Sequence, residues 1–357
     1  MVSHPQSLII VGGGIVGLCL ATAARARGYA VTVIARDAVE DTASGVAAGM
    51  IAPALEALGE AEPEIAFARL KQAQRAWRIL WDAWPDELRH ALELSGRTPS
   101  RYVWPQSDNS SDLATPRLKA MGVAFDALTE TELAGVATDC DGVSVAGDGL
   151  IESVLALRAL KTHLVAAGIE IRQDIADVVT RKSVRLSSGD TLTADAVVIA
   201  AGYGAKALAA DVPSLGHLSP IKGHVLDLVG EGHRRITRSP WGYLAEYGAH
   251  AKFGASMQFD HDDLDIESDV VADLKSRAVA MLPGLDLANA VPRVGVRAST
   301  PDGWPLIGRD AASGVWVAVG MRRNGFVFAP FAAQLILAEM AGEGVPEVAA
   351  AYDPNRF

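Results

Sequence analysis

Cysteine is nearly missing from this chain: Cys19 and Cys140 are the only two in 357 residues. Two thiols cannot build a disulfide framework or a thiolate metal site, so a reducing cytoplasm is the expected compartment. A basic surplus is lacking as well. Lys and Arg number 32 against 43 Asp and Glu, a formal charge of −11. Nucleic acid and anionic membranes need clustered cations, so neither is expected as the main partner. No GxxxxGK[ST], HExxH or GxSxG run occurs, which removes the P-loop, zincin and nucleophile-elbow chemistries. The eight histidines are scattered without ligand spacing. Asp260-His261-Asp262-Asp263 lacks the pattern of a calcium loop and reads as a solvated loop. Internal repeats and low-complexity tracts are absent.

What remains is ordinary globular material. Half of the residues are apolar and about a fifth charged, and the length suggests two domains or one large one. Ser7 to Ala24 is uncharged and mostly apolar, which mimics a membrane span or signal peptide. Residues 1–6 hold no Lys or Arg, however, and three consecutive glycines interrupt the run. A buried strand, a turn and a buried helix are expected there, with no targeting segment and no membrane insertion.

Leu8–Val11 is short and wholly apolar, as for a central parallel strand covered on both faces. Gly12-Gly13-Gly14 break it, Ile15–Arg27 reads as a helix stopped by Gly28, and Val31–Ile34 as a second strand. This is a βαβ unit. Ile65–Trp84 forms a long helix ended by Pro85, whose tryptophan stripe reads as a core-facing side rather than a binding surface. Residues 97–114 read as loop or strand edge. Another helix covers Ile151–Ala167, and strand-like pieces follow at Ile169–Ile171, Val184–Leu186, Thr191–Thr193 and Ala196–Ala201. Val315–Val319 is a strand and Phe331–Met340 a helix. Buried parallel-type strands at both ends and in the middle imply a nucleotide-binding sheet assembled from separated segments. The expected division is 1–85, 146–215 and 295–357 for that part, with 86–145 and 216–294 as an inserted domain.

Gly12-Gly13-Gly14-Ile15-Val16-Gly17 satisfies GxGxxG between a predicted strand and helix. Gly12 permits the tight turn, Gly14 lets backbone approach a pyrophosphate, and Gly17 lets helix and strand pack closely. The acidic residue that normally holds the ribose is replaced by Ala35, followed by Arg36 and Asp37. That place alone leans towards NADP, though FAD remains compatible.

Four separated stretches then bear on the choice: residues 42–53, Gly295-Val296-Arg297, residues 300–308, and Arg323-Asn324-Gly325-Phe326-Val327-Phe328-Ala329-Pro330. Together with Lys222-Gly223 and residues 254–257 they resemble the D-amino-acid oxidase family of flavoproteins, most of all its glycine-oxidase-like members. The resemblance runs through nearly the whole chain. It implies an α/β (mixed α+β) fold: a Rossmann-like FAD-binding domain plus an inserted antiparallel-sheet substrate domain. It implies FAD as cofactor, held by Gly12, Gly14, Ile15, Val16, Gly17, Ala35, Arg36, Asp37, Ala43, Ser44, Ala48, Gly49, Met50, Asp177, Gly202, Met321, Arg322, Asn324, Gly325, Phe326 and Val327. Arg297 falls on the family's carboxylate clamp and Arg323 on its second active-site arginine. Tyr243 and Met257 fall on pocket positions.

The implied reaction is hydride transfer from the α-carbon of glycine, an N-substituted glycine or a small D-amino acid to flavin N5. An imine forms and water converts it to glyoxylate or a keto acid, with O2 reduced to hydrogen peroxide. Such chemistry needs alignment over the cofactor more than an acid–base residue, and an arginine fork suits the carboxylate. Some features depart from the family. Met257 stands where sarcosine oxidases carry a lysine near N5, so a dehydrogenase passing electrons to a quinone or carrier protein is the alternative. Arg322 stands where an aromatic residue is usual and reads as a surface or interface arginine; facing the pocket, it would imply a second acidic group on the substrate. His224 reads as structural. The readings of another class are a non-catalytic flavin- or nucleotide-binding redox protein and an NADP-dependent reductase. Homo-oligomerisation is left open.

Overall fold

A computed structural model describes residues 6–84, 86, 88, 89, 100–107, 110–230 and 232–357. Two sheets carry the architecture. The first has six strands in the order Leu306–Arg309, Trp316–Val319, Ala196–Ile199, Ser7–Val11, Ala30–Ile34 and Glu170–Arg172. All pairings are parallel except the edge pair Leu306–Arg309/Trp316–Val319. Its central strand is apolar at every position after Ser7 because both faces are covered. Leu8 and Ile10 join one core with the helices Ile15–Ala26 and Gly325–Met340. Ile9 and Val11 join another, beneath the three-stranded antiparallel sheet of Ala176–Val179, Ser183–Leu186 and Thr191–Thr193.

The second sheet has nine strands, drawn from residues 100–145 and 219–299. Ser219–Val229 pairs antiparallel with Val291–Ser299 over nine positions and with His250–Gly254 on its other side. One pairing is parallel, between Arg234–Ser239 and Ser100–Pro105. Helix Ser268–Met281 covers one face through Leu274, Ala278 and Met281. The strand Val291–Ser299 runs unbroken through the position where a boundary at 294/295 is expected. The mixed α/β character expected from the sequence is thus present.

Two element expectations need correction, and the long helix lies close to its expected bounds. Residues 97–114, expected as loop or strand edge, hold the strand Ser100–Pro105 but also the start of the helix Ser110–Ala120, which was not expected, while 97–99, 108 and 109 lie outside the described residues. The final helix begins at Gly325, six residues earlier than expected. The long helix spans Pro63–Ala83, and its expected stop, Pro85, lies outside the described residues. Its stripe is core: Leu70, Trp77, Leu80 and Trp84 are buried in the largest apolar cluster. No helix among the described residues is long and apolar enough to cross a membrane.

Candidate active site

A cavity of about 770 Å³ opens along both sheets, within the roughly 300–1,000 Å³ typical of ligand pockets. Its floor is the glycine turn after Ser7–Val11. Gly12 has φ 128°, and any side chain there would collide with the Ala200 carbonyl. A side chain at Gly17 would meet the Gly12 carbonyl, so the helix sits tight against the turn. Gly14 ends the turn at the N-terminus of Ile15–Ala26, whose first turn carries no acidic side chain. Its backbone N–H groups and positive dipole end are therefore aimed at whatever anion lies there. Opposite stands Ser44, whose hydroxyl accepts from the Ile15 amide at 3.1 Å.

At one end Arg36 and Asp37 line the cavity and bond each other at 2.9 Å. Ala35 does not line it. A Cβ on Gly13 would stand 2.6 Å from that of Ala35, so the turn needs glycine at 13 where it passes the end of the second strand. Asp177 is a correction: it is exposed and outside the lining, whereas Asp174, Ile175 and Ala176 line the cavity. Gly202, Ala43, Ser44, Ala48, Gly49 and Met50 all line it. The Ala43–Val46 turn is held from below by Lys252, a residue the sequence reading missed. Its Nζ donates to the Gly45 and Val46 carbonyls at 2.9 and 3.1 Å, and burial lowers its pKa. The Tyr247 hydroxyl donates to the Ala48 carbonyl.

The other end gathers the candidate catalytic residues. Arg297, on Val291–Ser299, lies across Gly223, where an added Cβ would sit 2.7 Å from its Cζ. Its one hydrogen bond is from Nη1 to the Ser256 carbonyl at 3.3 Å, and no carboxylate pairs with it among the described residues. Burial lowers its pKa, and Arg323 and Arg322 push the same way. Tyr243 stands beside it, with its own pKa pushed up to about 12 by burial, so its hydroxyl keeps its proton. Met257 is 43% exposed at the rim. Met321, Arg322, Arg323, Gly325 and Phe326 complete the wall. Gly17, Asn324 and Val327 support it from outside the lining. Asn324 is the cap position of the last helix, and Val327 is core.

Arg323 donates to Glu56 and Glu60 together, and Arg238 also holds Glu56. Burial alone would raise the Glu56 pKa, but Arg238 and Arg323 bring it down to about 2. Arg322 is not a surface arginine. It lines the cavity and bonds Glu60 at 3.1 and 3.3 Å. Glu56, Glu60 and Arg238 escaped the sequence reading because their partners lie some two hundred residues away. His224 is fully buried and satisfied by Ser256 and the Glu267 amide, outside the cavity lining. The acidic cluster is an exposed loop as expected, though Asp262 reaches the cavity lining and Asp263 pairs with buried Lys222. Among the described residues no group of His, Cys, Asp and Glu could hold a metal ion.

Comparison with known proteins agrees with this geometry. The chain is 32% identical over 374 residues to the tRNA 5-methylaminomethyl-2-thiouridine biosynthesis bifunctional protein MnmC of Caulobacter sp. (strain K31), covering 99% of this chain but 58% of that protein. The chain spans about half the length of the curated relatives it matches. The fold matches the crystal structure of glycine oxidase from Geobacillus kaustophilus with a TM-score of 0.83 at 22% identity, over 99% of this chain and 100% of that one. It also matches iminodiacetate oxidase from Chelativorans sp. BNC1 with a TM-score of 0.81 at 21% identity, over 97% and 98%. The family model DAO, FAD dependent oxidoreductase, matches residues 7–340. The glycine cradle that no side chain could enter, the open helix end and the long cavity suit a dinucleotide, and the chain belongs to the DAO family of FAD-dependent oxidoreductases.

Proposed function

We propose that this FAD-dependent oxidoreductase oxidises the α-carbon–nitrogen bond of a small amino acid: glycine, an N-substituted glycine or a D-amino acid. The observation that carries the reading is Arg297, a half-buried guanidinium in the cavity wall with no carboxylate partner among the described residues. Such a group calls for an anion from outside, and a planar fork suits a carboxylate. When bound, FAD supplies the acceptor for the hydrogen and electron pair leaving the α-carbon.

The chain's own part is placement. Arg297 takes the carboxylate, and the protonated Tyr243 hydroxyl beside it offers a further hydrogen bond. Together they hold the α-carbon against the wall formed by residues 321–326. The amine nitrogen loses a proton as the C=N bond forms, and water then replaces nitrogen to leave glyoxylate or a keto acid with ammonia or an amine. Oxygen, giving hydrogen peroxide, or a quinone or carrier protein is the final acceptor. In this reading residues 1–85, 146–215 and 295–357 form the FAD-binding part, and 86–145 and 216–294 form the substrate-binding part.

A tRNA-borne substrate, which the name of the first relative raises, is the weaker reading. Six acidic residues fall between 260 and 269, beside the rim residues Met257 and Leu264. A polyanion would meet repulsion there. The deciding experiment mixes the purified flavoprotein anaerobically with glycine, sarcosine and small D-amino acids. We expect the visible flavin band to bleach with at least one of them and to return in air if oxygen is the acceptor. An unbleached band with the whole panel would overturn the proposal.

A further inference from the structure

We infer that the substrate of this site carries a second anionic group, making it a dicarboxylic amino acid rather than glycine itself. The inference rests on the amino-acid reading above and on a count of charge in the cavity wall. Arg277 lines the cavity but is paired with Asp273; four further guanidinium groups gather at one end, Arg238, Arg297, Arg322 and Arg323. Two carboxylates meet them. Glu56 takes Arg238 and Arg323, and Glu60 takes Arg323 and Arg322. Arg297 meets neither. This cluster of four arginines and two glutamates therefore holds two more cations than anions.

A zwitterionic amino acid brings no net charge to such a wall, and a single carboxylate engages only Arg297. Charge partly withdrawn from water without enough counter-ions is costly, and a second carboxylate lowers that cost. Arg322 is placed to take it. Its backbone is in the left-handed region at φ 51°, which an arginine adopts only when its surroundings hold it there. The Arg322 amide does so by donating to the Ala298 carbonyl at 2.7 Å, next to Arg297 in the chain. The bonds of its guanidinium to Glu60 use Nη1 alone, leaving Nε and Nη2 without a hydrogen bond among the described residues.

The two glutamates differ in a way that matters. Glu56 is 3% exposed and held by two arginines, a fixed part of the wall. Glu60 is 25% exposed and sits beyond the end of the short helix Pro53–Ala57. It is able to leave Arg322 for solvent while a substrate carboxylate takes its place. Glu60 thus acts as a stand-in for the second anionic group, and the bonds broken in the reaction do not involve that group.

The test uses matched probes that differ by one carboxylate. On the FAD-loaded protein, acetate and malonate are titrated and the shift of the visible flavin band gives each Kd. Malonate should bind at least tenfold tighter. Arg322→Gly, which suits the left-handed backbone, should bring the ratio below threefold. Glu60→Gln should raise it, and serves if the first variant fails to fold. Anaerobic bleaching then compares iminodiacetate with sarcosine and D-aspartate with D-alanine; the dicarboxylate should half-saturate at least tenfold lower in any pair that reacts. Equal affinities for acetate and malonate, or a ratio unchanged in both variants, overturn this inference. If sarcosine or D-alanine then still bleaches the flavin, the amino-acid reading survives alone. If none of the four amino acids bleaches it, both readings fall.

Discussion

Gly223 and Arg297 work as one unit. Glycine is needed at 223 for space and not for φ, since its backbone is not in the left-handed region and the obstacle is the guanidinium lying on it. Gly223→Ala should therefore fold, keep its flavin spectrum and displace the clamp. Arg297→Ala removes it outright. Losing a buried charge-assisted contact to a carboxylate costs about 2–4 kcal/mol, so KM for the substrate should rise steeply in both variants with flavin content unchanged. Steady-state kinetics beside a flavin-to-protein ratio checks this, and unchanged KM in Arg297→Ala would remove the residue from the site. At this scale the sequence was readable wherever a residue stood inside a local motif, as Arg297 does in Gly295-Val296-Arg297. Glu60 sits in no motif; what makes it matter is Arg322, 262 positions away.

Helix Gly325–Met340 shows why some elements were misread. Pro330 lies inside it and Gly325 opens it, two residues that argue against a helix, so the expected start fell at Phe331. Pro330 has no N–H to give the Phe326 carbonyl, four residues back. Trp77, from the long helix Pro63–Ala83, supplies the missing donor: its Nε1 reaches that carbonyl at 2.6 Å in the core. A tertiary contact thus repairs the local defect and lets the cavity-lining first turn be helical, which no window of local sequence reveals. Trp77→Phe should cost about 1–3 kcal/mol by leaving the buried carbonyl unpaired. Adding Pro330→Ala restores an in-helix donor, so the double variant should be more stable than the sum of the two single changes predicts. Urea unfolding of all four proteins measures the coupling. Additive losses would show that Trp77 contributes by packing alone.

Across the whole molecule, the parallel sheet was legible because fully covered strands are unbroken apolar runs, as in Leu8–Val11 and Ala196–Ile199. The nine-stranded sheet was not: Ser219–Val229 must find Val291–Ser299 seventy residues on, and the pairing of Arg234–Ser239 with Ser100–Pro105 crosses more than a hundred. The short helix Pro53–Ala57 brings Glu56 into the cavity wall, and two buried carboxylates make its stability pH-dependent in opposite senses. Glu56, lowered from 4.5 to about 2, stabilises the fold above its ordinary range, and that contribution is lost as pH falls through it towards 2. Asp148 accepts from the Ala54 amide at 3.3 Å through Oδ1, while its buried Oδ2 has no hydrogen-bond partner among the described residues. Burial raises its pKa from 3.8 to about 7, with the Glu56 charge adding to the effect. The folded state therefore holds this proton more tightly than the unfolded chain. Its contribution is complete below the unfolded value and declines as pH rises from about 4 to about 7, by at most about 1.4 kcal/mol per pH unit. Asp148→Asn keeps the acceptor and cannot ionise. The stability difference between variant and parent should move in the variant's favour from pH 4 to pH 7 and level off above that range, measured by urea unfolding at each pH. A difference that stays constant across those values would mean that Asp148 does not carry its proton in the folded protein.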